Sequence, residues 1–321
     1  MPWWKRTSPE EEQLRVQAQQ EAEASLHSLQ AGGLPTQAKR RLSEETAAGH
    51  PLFSSDLSTK EFALTRREGY RPLSQVMGSS IYHVGWQYTW SYPRYTNAYE
   101  LTTVTNAHQH AAQLALGRLE QEATLLKAHG VIGVRLNTRD YEWGRDLLEY
   151  TAIGTAVRLP DAPLFPRPFL SDLSGQEFWT LLQAGYFPAG LVTGYCSYCV
   201  STGWEVNQIM RSWSNQEIGP YSEAVYTARN LAMNRLAAMA RSFHAVGVVG
   251  MHIGFNKGEN EYERENDPTT YRDLFINFSV VGTAIVSRRP DHVIPSPKPT
   301  LAFTDLRSGR SDKTRELTIR E

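Results

Sequence analysis

The stretch that decides the fold is DLSTKEFALTRREGYRPLSQVMG, residues 56–78, because it occurs a second time as DLSGQEFWTLLQAGYFPAGLVTG, residues 172–194. The two stretches align without a gap at an offset of 116 residues (172 − 56), and ten of their 23 positions are identical. Similarity at a fixed offset is typical of a repeated structural unit. The sequence therefore predicts two copies of one module.

The repeat continues through a helix and two strands. Residues 105–128 and 224–243 have apolar side chains at three- and four-residue steps, which favours amphipathic helices. The strands that follow are AHGVIGVRL from Ala128, AVGVVGMHI from Ala245, YTAIGTAVRLP from Tyr150 and FSVVGTAIVSR from Phe278. We therefore expect an α+β fold of two tandem β-α-β-β modules, each a small antiparallel sheet covered by a long helix. A charged insert in the second copy, residues 254–270, is interpreted as an exposed hairpin or loop.

The repeat divides the chain into four parts. These are an N-terminal helical arm at 1–55, a first module at 56–160, a second module at 161–290 and a flexible C-terminal tail at 291–321. Ser8 and Pro9, followed by Glu11, are typical of a helix start, and the arm helix should end near Gln30. A second short helix is expected at 35–45, and the polar tail is expected to be disordered.

Short signals in the two copies agree with each other. Each copy has a serine followed three residues later by glutamate, the spacing of a capping box; the pairs are Ser58/Glu61 and Ser174/Glu177. Gly69 and Gly185 fit the left-handed position after a helix. Gly133 and Gly250 lie inside predicted strands, where they indicate a bulge or a close backbone approach.

A long Ala/Leu helix, a G-V-[VI]-G strand and a closing G-T-A-[VI] strand together resemble the YbjQ family, which is labelled a heavy-metal-binding domain. The matching residues are Gly130, Val131, Ile132, Gly133, Gly154, Thr155, Ala156, Val157, Gly247, Val248, Val249, Gly250, Gly282, Thr283, Ala284 and Ile285. The resemblance implies small dodecin-like domains that assemble into pentameric rings. It therefore implies that a tandem chain builds a ring of similar modules.

Composition excludes several classes of protein. The net charge of −1 over 321 residues gives the chain no overall basic character, so we expect no nucleic-acid partner. No apolar run approaches the ~20 residues of a membrane span. Two cysteines are too few for a disulfide framework, which favours a reducing, cytoplasmic location.

Cys196 and Cys199 form the motif C-x-x-C, which suits a soft divalent metal such as zinc. A strand would point residues three apart to opposite faces, so two buried apolar cysteines are the alternative interpretation. The first copy has Ser80 and His83 at these positions. A mixed metal site of Cys196, Cys199 and His83 therefore stays open.

An alternating aromatic run follows the first strand. Trp86, Tyr88, Trp90 and Tyr92 would share one face of a strand. Such a face is typical of sheet core or a subunit interface, and the alternative is a platform that binds a planar cofactor or ligand.

Other polar pairs carry weaker signals. His108 and His110 are two residues apart on the first long helix and face different directions, so we interpret them as solvent-facing or capping rather than as metal ligands. Glu120 and Glu122 are interpreted as a solvated helix face. Complete catalytic motifs such as G-x-S-x-G or H-E-x-x-H are absent from the sequence.

Three functional hypotheses follow. The first is a non-enzymatic, ring-forming cytoplasmic homo-oligomer that binds a protein or small-molecule ligand, because a thin module leaves sheet edges that pair with further copies. The second is a metal-binding or metal-sensing protein, and the third is an enzyme with a site in the aromatic cleft. The arm is either solvated or binds a partner. Trp3 and Trp4 beside Lys5 and Arg6 leave a peripheral membrane contact as a further alternative.

Overall fold

The computed structural model describes most of the chain. The described residues are 9–47, 53–85, 96–140, 147–201, 203, 206, 208–209, 212–264, 267–288, 301–303 and 315–317. The N-terminal arm contains helices α1 (Pro9–Gln30) and α2 (Thr36–Ala47), close to the predicted bounds. None of the helices in the described ranges has both the length and the apolar composition required to cross a membrane.

The two modules share the order α-β-α-β-β, and within the described residues the first has an additional short strand before its long helix. The first contains α3 (Thr59–Arg67), β1 (Arg71–His83), β2 (Asn97–Glu100), α4 (Thr102–Leu125), β3 (Gly130–Asp140) and β4 (Leu147–Arg158). The short strand β5 (Phe169–Leu170) follows, and the second module contains α5 (Gly175–Gln183), β6 (Tyr186–Ser201), α6 (Gly219–Ser242), β7 (Gly247–Arg264) and β8 (Asp267–Ser287). In the tail, β9 (Leu301–Phe303) pairs with β10 (Arg315–Leu317), and the rest of 291–321 lies outside the described residues.

Each module has its own four-stranded sheet, and the α+β prediction is confirmed. The strand orders are β1-β4-β3-β5 and β2-β6-β8-β7. The modules also exchange strands, which the sequence did not predict. Strand β2 of the first module joins the second sheet, and β5, which precedes the second module, joins the first.

The long helices lie against their sheets through small residues. A Cβ added to Gly78 on β1 would lie 2.0 Å from the carbonyl oxygen of Ala115, and one added to Gly194 on β6 would lie 2.1 Å from that of Ala232. Helix and strand backbones therefore pack closely in both modules. The alanines that face the sheets recur at an offset of 117; they are Ala107, Ala111, Ala115 and Ala123 on α4, and Ala224, Ala228, Ala232 and Ala240 on α6.

The predicted local signals are confirmed. Both capping boxes form, and Gly69 and Gly185 each have a φ of 85° directly after a helix. Gly133 and Gly250 have φ angles of 65° and 67° and lie at register shifts in the sheets, as expected of β-bulges. The charged insert forms a hairpin, because the pairing of β7 with β8 continues to Arg264 and Asp267.

Candidate functional site

The two modules contact each other through both polar and apolar side chains and through backbone pairing. The first of these contacts is the parallel pairing of β5 with β3. The backbone amide of Ser171 donates to the carbonyl of Val131 at 2.9 Å, and the amide of Val134 donates back to Ser171 at 2.9 Å. The amide of Phe169 donates to the carbonyl of His129 at 3.0 Å. The short strand β5 therefore covers an edge that would otherwise expose unpaired backbone groups.

An apolar cluster seals this pairing. The ring of Phe169 lies on Gly130, where an added Cβ would be only 2.4 Å from the ring. Phe178 on α5 is fully buried between Phe169 and Tyr70 of the first module. Each large aromatic side chain that leaves water contributes on the order of 2–3 kcal/mol, so this cluster holds the modules together.

The second contact places α4 between two sheets. The ring of His108 stacks on Tyr195 of β6 with 3.8 Å between the centroids, and its Nδ1 lies 2.8 Å from the hydroxyl of Tyr150 on β4. Burial lowers the pKa of His108 to about 4, so the ring is neutral at physiological pH. The prediction of a solvent-facing or capping His108 was wrong, because the second sheet covers this face of α4.

The third contact places β2 on the edge of β6. Asn97 to Glu100 pair with Ser201 to Tyr198. The carboxylate of Glu100 then accepts a hydrogen bond of 2.6 Å from Nη2 of Arg235 on α6. This ion pair is about four-fifths shielded from solvent and fixes the start of α4 on the second module.

The threonine of each G-T-A strand holds the segment that precedes its module. Thr283 lies 3.0 Å from the hydroxyl of Ser171 and accepts from the amide of Asp172 at 3.1 Å. Thr155 repeats both contacts with Ser55, at 3.2 Å, and with the amide of Asp56, at 3.3 Å. The segment before the first module is therefore held in the conformation in which its counterpart pairs with β3.

Two surfaces lack the partner that their counterparts have inside the described chain. The head surface consists of residues 53–57 with Phe62, where Phe53 is 41% exposed whereas Phe169 is 4% exposed. The tail surface consists of residues 246–255 on β7, which is the last strand of its sheet in the described residues. Its exposed apolar side chains are Val246, Met251, Ile253 and Phe255.

A cavity of about 450 Å³ lies at the seam of the modules. Its polar lining includes Asp56, which forms an ion pair with Arg135, and Asp172, which accepts a hydrogen bond from Thr283. Burial raises the pKa of Asp172. Each aspartate therefore has its partner within its own module, Asp56 in the first and Asp172 in the second.

The structure places the predicted metal ligands in different surroundings. Cys196 is buried in the core beneath α6, Cys199 is buried where β6 pairs with Tyr99 of β2, and His83 lies exposed at the end of β1. Burial raises the pKa of each thiol to about 11, which disfavours the thiolate that binds metals. Within the described ranges, no three His, Cys, Asp or Glu side chains are grouped to hold an ion. The metal site stays an untested prediction.

One of the remaining predictions is wrong, and two others concern residues that lie outside the described part of the chain. Glu122 is buried rather than solvated, because it accepts from the amide of Met77 at 2.9 Å and from Arg41 at 2.9 Å. The aromatic platform of Trp86, Tyr88, Trp90 and Tyr92 lies outside the described residues, as does the Trp3 to Arg6 segment. The sequence also missed Arg235 and Glu100, although an arginine at equivalent positions of both helices was a signal.

Comparison with known proteins agrees with this architecture. The sequence profile of the YbjQ family, described as "Putative heavy-metal-binding", matches residues 96–160 and 187–288. An encapsulin nanocompartment protein of Mycobacterium tuberculosis (strain ATCC 25618 / H37Rv) is 38% identical over 233 residues, which cover 71% of this chain and 86% of that protein. The two matched regions fall on the two modules, and the chain therefore belongs to the YbjQ family, of which it carries two tandem copies.

Proposed function

We propose that this protein is a non-enzymatic cytoplasmic assembly protein whose chains join head to tail into a homo-oligomeric ring. The tail surface of one chain would receive the head surface of the next. Strand β7 would pair with residues 53–57 of a second copy in the way that β3 pairs with β5. The observation that carries the proposal is that β7, the counterpart of β3, has no strand paired in the place of β5 within the described residues.

Equivalent positions on β3 and β7 differ in what covers them. His129 and Val134 are 0% and 3% exposed, whereas their counterparts Val246 and Met251 are 54% and 43% exposed. Among the described residues, a Cβ on Gly247 would meet nothing nearer than Ile285 at 3.9 Å, so none of them fills the space that Phe169 fills over Gly130. An exposed apolar strand edge is a known site of pairing between chains.

The head surface already has the shape of its internal counterpart. Ser55 and Asp56 are held on Thr155 as Ser171 and Asp172 are held on Thr283. The rings of Phe53 and Phe62 lie 5.5 Å apart, as those of Phe169 and Phe178 lie 5.8 Å apart. Docking would therefore order little additional chain, which reduces its entropic cost.

Repetition of one head-to-tail contact closes into a ring when the rotation per chain divides a full turn. A ring made only of two-module chains contains an even number of modules, so this chain cannot reproduce a five-module ring alone. The name of the mycobacterial relative connects that protein with a nanocompartment. This connection supports an assembly role for the present chain.

The matched glycines provide the test. Gly247→Ala adds a methyl group where Phe53 of the next chain would lie, while its own module has room for it. We expect native mass spectrometry to find oligomers of the wild type at micromolar concentration and monomers of Gly247→Ala. Gly258→Ala, on the same strand and with its nearest neighbour also at 3.9 Å, is the control and should assemble normally. A monomeric wild type would refute the proposal.

A further inference from the structure

Two arginines at equivalent positions of the long helices contact their own modules in the same way. Arg118 on α4 and Arg235 on α6 are related by the offset of 117. Each donates from Nη1 to a backbone carbonyl of the first strand of its module, that of Ser79 for Arg118 and that of Tyr195 for Arg235. The two helices therefore present these guanidinium groups at the same place beside a sheet edge.

The other nitrogen of each guanidinium has a different partner. Nη2 of Arg235 donates to the carboxylate of Glu100 at 2.6 Å. Nη2 of Arg118 donates to the carbonyl of Leu29 at 3.1 Å, and its Nε donates to that of Gly33 at 3.2 Å. In the first module, the loop between α1 and α2 thus stands where the second module has an acidic side chain.

The arm loop, residues 29–33, is held by contacts that only the first module offers. Gln121 donates to the carbonyl of Gly32, and Glu122 forms an ion pair of 2.9 Å with Arg41. The equivalent residues of α6 are Ala238 and Met239, which have no such groups. Leu34 and Leu42 anchor this end of the arm, as both are almost fully buried.

A counterpart of Glu100 exists in the second module. Leu101 and Ile218 are the N-cap residues of α4 and α6, and their φ and ψ angles agree within about 7°, at −83° and 79° for Leu101 and −90° and 86° for Ile218. Glu217 precedes Ile218 as Glu100 precedes Leu101. Residues 214–217 are all exposed, whereas β2 is paired with β6.

The charge of Arg118 favours a carboxylate over the present partners. Arg118 is 9% exposed, and its hydrogen bonds in the described part of the chain all go to carbonyl oxygens. Burial of this uncompensated charge lowers the pKa of Arg118. A hydrogen bond between two charged groups is roughly twice as strong as a neutral one, so an incoming glutamate could replace the loop.

We infer that residues 214–217 of a second copy dock along residues 82–85 at the end of β1 and place Glu217 on Arg118, and that the arm loop is a cap that has to leave Arg118 first. The inference rests on the head-to-tail assembly proposed above and adds a means by which the chain regulates that assembly. The arm then weakens assembly of the wild type and raises the concentration at which the chains join, because the loop has to be displaced from Arg118 first.

The test compares full-length variants by mass photometry across a concentration series. Leu42→Asp releases the arm, and we expect it to lower the concentration of half-assembly by about tenfold or more, equivalent to about 1.4 kcal/mol. Leu26→Asp is the matched control, because Leu26 lies on the same arm and is exposed; it should behave as the wild type. Arg41→Ala with Gln121→Ala loosens the arm through side chains outside the core, in case Leu42→Asp disturbs the fold.

Adding Glu217→Lys to the Leu42→Asp variant should return the concentration of half-assembly to the wild-type value. Adding Gln216→Lys instead should leave that concentration low. Equal assembly of wild-type and both arm variants would overturn the cap and leave the ring standing. If Leu42→Asp assembles equally well with and without Glu217→Lys, the docking of residues 214–217 would be overturned. If no variant assembles at any concentration, the proposed ring itself fails.

Discussion

Strands β3 and β7 carry nearly the same motif, GVIGV and GVVGM, yet one is covered and the other is open. Phe169 lies on Gly130 of β3, while no residue in the described part of the chain fills the equivalent space over Gly247 of β7. The difference arises from position in the tandem, because β5 and a second module follow the module that contains β3, whereas β7 lies in the second module itself. The repeat motif therefore determines which kind of segment a strand can pair with. The position of the strand in the chain determines whether that segment belongs to the same chain.

The largest effect expected from this comparison is on the two equivalent phenylalanines. Phe169→Ala should destabilise the chain by about 3–5 kcal/mol, since it removes a buried ring from the junction. Phe53→Ala should change the unfolding free energy of the monomer by only about 1 kcal/mol, because Phe53 is 41% exposed whereas Phe169 is 4% exposed, but should weaken assembly. Urea unfolding in the monomeric concentration range measures both, and equal losses would contradict the distinction between the junctions.

Much of the fold could be predicted from the sequence because its signals are local. The capping boxes at Ser58 and Ser174 and the bulge glycines depend on residues a few positions apart, and all were confirmed. The strand exchange depends on β2 and β5, which are four and two residues long and have no periodic pattern. Pairing between such short strands is decided by tertiary packing, which no local pattern encodes.

The errors at His108 and Glu122 have the same physical origin. Each hydrogen-bonds to the sheet of its own module, His108 to Tyr150 and Glu122 to the amide of Met77, and each is also covered by an element outside that module. The second sheet covers His108, and Glu122 is enclosed by Arg41 and the amide of Met77. The helix periodicity identified the apolar positions that meet the sheet, and it could not reveal that polar side chains beside them are covered by the second sheet and by the arm.

The next effect concerns pH and the buried ring of His108. Its pKa is about 4 in the folded chain and about 6.5 when unfolded, so the unfolded chain binds more protons between these values. Stability from this group is complete above about pH 6.5 and is lost as pH falls toward 4, by about 3 kcal/mol in all. His108→Phe keeps a ring against Tyr195 and lacks the titration. The wild type should therefore lose more stability than this variant between pH 7 and pH 4, and equal losses would exclude a neutral buried His108.

A smaller effect is expected for the equivalent glycines. Gly130→Ala should cost about 1–3 kcal/mol, because the added methyl group forces the ring of Phe169 to move. Gly247→Ala should change monomer stability by less than about 0.5 kcal/mol, since its site is open. Thermal unfolding of the two variants at low concentration checks this. A large loss in Gly247→Ala would mean that β7 is covered in the monomer by a segment that the described residues do not include.

The smallest expected effect concerns the reactivity of the two cysteines, which tests the metal site predicted from the C-x-x-C motif. Both thiols have a pKa of about 11 because of burial, so little thiolate is present at neutral pH. A thiol reagent should then react with the native chain at least about 100-fold more slowly than with the urea-unfolded chain. Elemental analysis of wild-type protein and Cys196→Ser completes the test, because stoichiometric zinc that is lost in the variant would establish the metal site. Fast labelling of native Cys199 would show that the edge of β6 opens. Because β2 of the first module covers this edge, that result would also weaken the junction as the template for assembly.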